Sequence, residues 1–173
     1  MSYYIAAPMS RNDISAITNI IRDACGLTKE KYFRVVDVLE LFLPSFDSDF
    51  VMEIADVNAM REEGMAYPEN HVIVLRQDVY EGAIKGNSRD RFTVAHEIGH
   101  YILHTPNRIQ RTGLARSKER LKAYLDPEWQ ANTFAGELLA PLQVISGLTI
   151  EEISRECGVS KKTAEIQLRI KNR

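Results

Sequence analysis

Cysteine is scarce in this chain of 173 residues: Cys25 and Cys157 are the only two. Two thiols cannot build a disulfide scaffold, and nothing in their number calls for an oxidising compartment. An excess of one charge is also missing. The 22 Lys and Arg face 24 Asp and Glu, and the resulting net charge of −2 is too balanced to imply nucleic acid or an anionic membrane by itself. Long apolar runs are absent too. The best candidate, Phe33 to Leu43, is interrupted by Asp37 and Glu40, so no membrane span is expected. Met1 to Ile5 show no basic stretch leading into an apolar one, so no secretory signal is expected either. What remains is a globular balance, 45% apolar and 27% charged, which excludes disordered and fibrous classes and fits one domain. The expectation is a soluble, cytoplasmic protein.

Periodicity places the elements. Ile14, Ile17, Ile21 and Ala24 recur at helical spacing between a capping box of Ser10 and Asp13 and a stop at Gly26. A second helix is predicted from Lys31 to Leu43, ended by Pro44. Phe50 to Ile54, Gly64 to Tyr67 and His71 to Leu75 read as short strands, with a helical turn following at Asp78 to Ile84. The stretch Ser88 to His104 is amphipathic and stops before Pro106, whereas Asn107 to Tyr124 has no clean period and reads as a long loop. Asp126-Pro127 opens a helix running to Ala140, and Thr149 to Cys157 and Lys161 to Asn172 form two more around Gly158-Val-Ser. Helices, a small sheet and more helices, in that order, predict an α+β fold. The expected organisation is one unit over residues 1–148 with a C-terminal helical hairpin, 149–173, packed on it.

The segment His96-Glu97-Ile98-Gly99-His100 carries the chemistry. Four residues of helix rise about 6 Å and turn slightly more than once, so both imidazoles project from one face. There they can grip one Zn²⁺ at roughly 2.1 Å each. Glu97 is displaced around the helix, where its carboxylate can take a proton from a water on the metal and pass it to the leaving amine. A catalytic zinc needs a third ligand and an open fourth position, which also disfavours a closed structural site. His104 is rejected for that place, because continued helix sets it about 12 Å along the axis from His96. Glu128 stands in the first turn of the next helix, with Ala131 and Ala135 at helical spacing behind it. Those small residues would let the two helices approach closely, and Ala95 and Gly99 are small on the other side. A solvated acid favoured by the helix dipole explains Glu128 equally well on spacing alone.

Two blocks then make a resemblance specific. Ala95-His-Glu-Ile-Gly-His-Tyr-Ile-Leu-His104 and Glu128-Trp-Gln-Ala-Asn-Thr-Phe-Ala-Gly-Glu-Leu-Leu-Ala-Pro141 resemble the ImmA/IrrE family of metallopeptidases. The family pattern is A-H-E-x-G-H-x-x-x-H followed by E-x-x-A-x-x-F-A-x-x-L-L-x-P, and every fixed position is present. Tyr4-Ile-Ala-Ala-Pro8 resembles phage and mobile-element members. The resemblance implies a zincin-like metallopeptidase core with a small antiparallel sheet. It implies zinc held by His96, His100 and Glu128, and Glu97 as catalytic base. It also implies a role for His104 near the site, either at a developing oxyanion or bracing a ligand, while a cap on the helix C-terminus is the bland account. The substrate implied is a protein, a transcriptional repressor or antitoxin whose cleavage switches gene expression. The alternative is a non-proteolytic regulator that docks on a transcription regulator or DNA with the same zinc fold.

Other features have weaker claims. Tyr101 and Tyr124 are further oxyanion candidates. The run Arg108, Arg111, Arg116, Lys118, Arg120 and Lys122 reads as a mobile loop between the two blocks. Either Gly64 to Tyr67 or His71 to Leu75 is a candidate edge strand for aligning a substrate backbone, with His71 itself expected to be a partly exposed strand residue. Lys161, Lys162, Arg169, Lys171 and Arg173 give the hairpin a faint helix-turn-helix look, but Ser154 and Gln167 break the pattern. A hairpin packed on the core is the reading adopted, with no direct nucleic-acid binding and no membrane partner.

Overall fold

The computed structural model describes residues 3–112 and 121–171. β1 (Tyr3–Ala6) leads into α1 (Arg11–Ala24), whose start is fixed as predicted: the Asp13 N–H donates to Ser10 Oγ, and the Ser10 N–H donates back to Asp13 Oδ2 at 2.8 Å. Arg22, in its last turn, is fully buried and donates to the carbonyls of Leu138, Leu27 and Glu30. These bonds give its two terminal nitrogens backbone acceptors without a carboxylate, and Nε is left without a partner among the described residues.

The second helix departs from expectation. α2 (Val35–Asp37) opens into a π-helical turn, Val38–Phe42, and re-forms as α3 (Leu43–Phe46), so Pro44 lies inside the helical segment instead of ending it. The wider turn explains this: the Leu43 N–H reaches back to Val38 O, and the next residue, lacking an N–H, enters where the ladder is already stretched.

β2 (Val51–Ala55), β3 (Gly64–Tyr67) and β4 (Val72–Arg76) form a three-stranded sheet in the order β2-β4-β3. The sheet is mixed, not antiparallel: β4 runs antiparallel to β3 but parallel to β2. A tight Pro68–Asn70 turn makes β3 and β4 a hairpin, whereas residues 56–71, β3 included, supply the long crossover that a parallel pair requires. Central β4 turns Ile73 and Leu75 into the core.

α4 (Gln77–Ile84) and α5 (Ser88–Leu103) follow, and Asn87 caps α5 by accepting from the Arg89 and Asp90 N–H groups. The expected loop after Pro106 contains β5 (Ile109–Thr112), which pairs antiparallel with β1. Half of the basic run, Arg116, Lys118 and Arg120, lies outside the described residues. α6 (Pro127–Leu139) starts at Asp126, whose carboxylate accepts from the Glu128 N–H at 3.0 Å. Its small residues lie against α5: Ala131 and Ala135 are fully buried, and a Cβ on Gly99 would stand 3.0 Å from the Phe134 ring.

α7 (Ile150–Cys157) and α8 (Lys161–Lys171) close the chain around Gly158, at φ +63. Arg91 of α5 secures this hairpin. Its buried guanidinium lies over the Tyr32 ring and donates to the carbonyls of Phe33, Cys157 and Gly158 at 3.0–3.1 Å. Ile153, Cys157, Val159 and Ala164 belong to the same apolar core as Ile14, Leu75 and Ile98.

Candidate metal centre

α5 and α6 bring three donors together. His96 Nε2 and His100 Nε2 are 3.0 Å apart, and the Glu128 carboxylate oxygens lie 3.4 Å from the first and 3.3 Å from the second. The far ends of the two rings decide what these atoms offer. The buried Gln130 donates from Nε2 to the carbonyls of Ala7, at 2.9 Å, and Tyr124, at 2.8 Å, so its amide orientation is fixed. Its Oε1 must therefore accept, and His104 Nε2 donates to it at 3.0 Å. A neutral His104 then has a lone pair on Nδ1, which accepts from His100 Nδ1 at 2.9 Å. Burial holds His104 in that neutral form, its pKa pushed down to about 4. His96 is oriented by its own partner, Nδ1 donating to Asn132 Oδ1 at 3.2 Å.

Both rings thus turn an Nε2 lone pair toward the same point, beside a carboxylate. Two lone pairs at 3.0 Å repel unless a cation or a proton lies between them. Burial opposes charge on His96, yet the bond to Glu128 and the charges of Glu97 and Glu128 outweigh it and raise its pKa. Bonds from His100 and His96 hold Glu128 far below the usual carboxylate range despite partial burial. Two imidazoles and one carboxylate, with the carboxylate side exposed to solvent, fit the donor set of a three-ligand zinc site with an open position.

Glu97 stands beside these donors. It is 8% exposed, and burial raises its pKa against the lowering influence of His96 and His100. β3 covers it closely: a Cβ on Gly64 would lie 2.7 Å from Glu97 Cγ, and a backbone hydrogen bond from Ala66 reaches the carboxylate. Glu97, His96, Gly64 and Asn132 line an open hollow of about 500 Å³. Because β4 is central and β3 lies at the sheet margin, β3 is the strand beside this hollow with an unpaired edge in the described sheet.

The other expected residues have different surroundings. Both ring nitrogens of His104 are engaged, leaving it no donor for an oxyanion; its contacts are those of a brace on His100. Tyr101 is buried and donates to Asp47 Oδ2 at 2.5 Å, which commits its hydroxyl away from the donors. The exposed Tyr124 ring lies under Lys122 and does not line the hollow. His71 is a turn residue rather than a strand residue, at φ +59, with Nδ1 2.7 Å from Asp47 Oδ2. Asp47, Asp49 and His71 form a second cluster of donors, but Tyr101, His71 and the Asp49 N–H already occupy the Asp47 carboxylate. Sequence reasoning missed Gln130, Asn132 and Gly64. Asn132 had a signal, lying one helical turn after Glu128.

Three of the basic residues singled out on the hairpin are engaged. Lys161 pairs with Glu151 and Arg169 with Glu165, and Lys171 Nζ donates to Leu142 O at 3.1 Å.

Fold and site together define an α+β protein with a three-donor candidate metal centre between two packed helices. The sequence pattern of the Peptidase_M78 family, the IrrE N-terminal-like domain, matches residues 49–169, and the chain belongs to that family. Among solved structures, a Mycobacterium tuberculosis transcriptional regulator is similar at a TM-score of 0.56 and 17% identity. That likeness covers 88% of this chain and 45% of the regulator, so this chain spans less than half of it. Among curated proteins, none matches. No helix among the described residues is long and apolar enough to cross a membrane.

Proposed function

We propose that this protein is a zinc-dependent metalloendopeptidase that cuts a protein regulator, a repressor or antitoxin, in the cytoplasm. The observation that carries the reading is the pair of Nε2 atoms facing each other beside Glu128, with Glu97 next to them under the margin of the sheet. His96, His100 and Glu128 would hold the ion. Zinc, when bound, polarises a carbonyl and acidifies water.

The remaining work falls to the chain's own residues. Glu97, with a raised pKa and a nearly dry stem, accepts the proton of the attacking water on its carboxylate and delivers it to the departing amine nitrogen. The open edge of β3 supports backbone pairing with an extended substrate next to that carboxylate. Asn132 and His104 hold the two rings in the tautomer that leaves Nε2 free.

The test compares new protein N-termini by mass spectrometry in cells making the native chain or Glu97→Gln. A terminus inside a transcription regulator, seen with the native chain alone, is the expected result. A cellular effect that survives Glu97→Gln overturns proteolysis and leaves the zinc fold acting by docking on a regulator.

A further inference from the structure

A larger cavity, of about 800 Å³, lies beyond the hollow that holds Glu97. The two share Phe92, Thr93 and Asn132 as a common border, so a molecule lying along one continues into the other. Helical spacing accounts for the continuity. Arg89, Phe92, Thr93 and His96 stand at i, i+3, i+4 and i+7 on α5, forming a stripe that ends on a candidate metal ligand. Trp129, Asn132, Thr133 and Gly136 repeat the spacing on α6, starting one residue after Glu128. The third wall is α8, with Lys162 and Ile166. The C-terminal hairpin therefore completes a cavity adjoining the metal centre.

Volume and charge limit what fits. The cavity is as large as sites that take a whole drug-sized molecule, about 300–1,000 Å³, and so exceeds the needs of one side chain. Trp129, Phe92 and Ile166 give it apolar walls. Of its cations, Arg11 is neutralised by Glu137 at 2.6 Å and Arg89 by Glu63 at 2.5 Å. Lys162 has no acidic partner among the described residues. The wall thus carries one uncompensated positive charge above an apolar floor.

We propose that this cavity binds the stretch of substrate flanking the scissile bond, and that it selects an apolar segment carrying an acidic side chain opposite Lys162. The proposal rests on the proteolytic reading and names the substrate class of the same site. A peptide is favoured over a small effector because the cavity runs into the hollow of Glu97 and toward the open edge of β3.

Trp129 is the only tryptophan in the chain, so its emission reports occupancy directly. The experiment titrates full-length Glu97→Gln, loaded with zinc, with capped hexapeptides of Leu and Phe carrying one Glu or one Lys. The Glu peptide is expected to shift the emission saturably and to bind about three- to five-fold more tightly than the Lys peptide, as one part-exposed ion pair allows. Adding Lys162→Glu, an exposed substitution outside the core, is expected to reverse the order. An unchanged order in that variant, or no peptide response, overturns the proposal, as does a response to a planar anion such as a nucleotide alone. The two readings fail separately. Charge-selective binding without cleavage by the native chain removes the proteolysis and keeps the cavity's role; cleavage indifferent to the charge at that position does the reverse.

Discussion

Because Gln130 donates to two backbone carbonyls, its oxygen can only accept from His104, and that choice propagates to a ring two bonds away. Replacing it by leucine removes the acceptor for His104 and the donor to the Ala7 carbonyl, while the Tyr124 carbonyl keeps the Met9 N–H. Outer partners of metal ligands typically set about ten- to a hundredfold in metal affinity. Gln130→Leu should lose that much zinc affinity in competition with a chelator, while Asn132→Ala should do the same through His96. At Gly99 the constraint is steric. A methyl there meets Phe134 at 3.0–3.2 Å, and overpacking of this kind costs about 1–3 kcal/mol. Urea unfolding should show that loss for Gly99→Ala, and Phe134→Leu in the same chain should recover part of it.

The Asp47–His71 pair gives a pH-dependent effect. The bond to Asp47 raises the His71 pKa above its usual 6.5, so the stability from this pair is fully present below 6.5 and fades as pH rises through the higher folded value. Asp47 is held low, by Tyr101 first and then His71, so its share fades only as pH falls below the ordinary 3.8. Asp47→Asn should return the His71 titration, followed by NMR, toward 6.5.

At the scale of elements, the hairpin of α7 and α8 depends on one side chain. Arg91 is 1% exposed and gives three charged-donor hydrogen bonds, to Phe33, Cys157 and Gly158. Bonds of this type are worth about 1.5–3 kcal/mol each, before the cost of burying the charge is subtracted. Arg91→Met should therefore cost about 3 kcal/mol, and hydrogen exchange should show protection lost first in the hairpin. Such a link was invisible in the sequence, where Arg91 is one more polar residue in an amphipathic helix. Local signals were legible: the Ser10 cap, Asp126-Pro127 and the apolar stripes placed most helices within a residue or two. What escaped depends on residues far apart in the chain. β5 becomes a strand only because β1, about a hundred positions earlier, pairs with it, and β2 lies parallel to β4 through a crossover no local pattern encodes. Pro44 misled for a related reason, since the π turn before it removes the bond a proline would break. At the site, the spacing of His96 and His100 carried their convergence, whereas Glu128 needed the family resemblance and Gln130 needed the fold.

On the scale of the whole molecule, the candidate metal centre lies between two of its most closely packed elements. His96 and His100 lie on α5 and Glu128 at the start of α6, so an ion held by all three is a cross-link present in the folded chain and absent from the unfolded one. By mass action, a ligand at a hundred times its dissociation constant adds about 2.7 kcal/mol to stability. For a chain of this size each kcal/mol moves the unfolding midpoint by about 2–4 °C. Zinc at that excess should thus raise the midpoint by about 5–10 °C over the chelated protein. The variants separate a ligand from a base. His100→Ala should lose the shift, because a donor is gone. Glu97→Gln should keep it, because the Glu97 carboxylate lies beside the three donors and is not one of them. Differential scanning calorimetry with and without chelator reads all three proteins directly. A native chain whose midpoint ignores the chelator would exclude a bound ion at this site, and a shift lost in Glu97→Gln would make Glu97 a ligand and leave the proposed hydrolysis without its base.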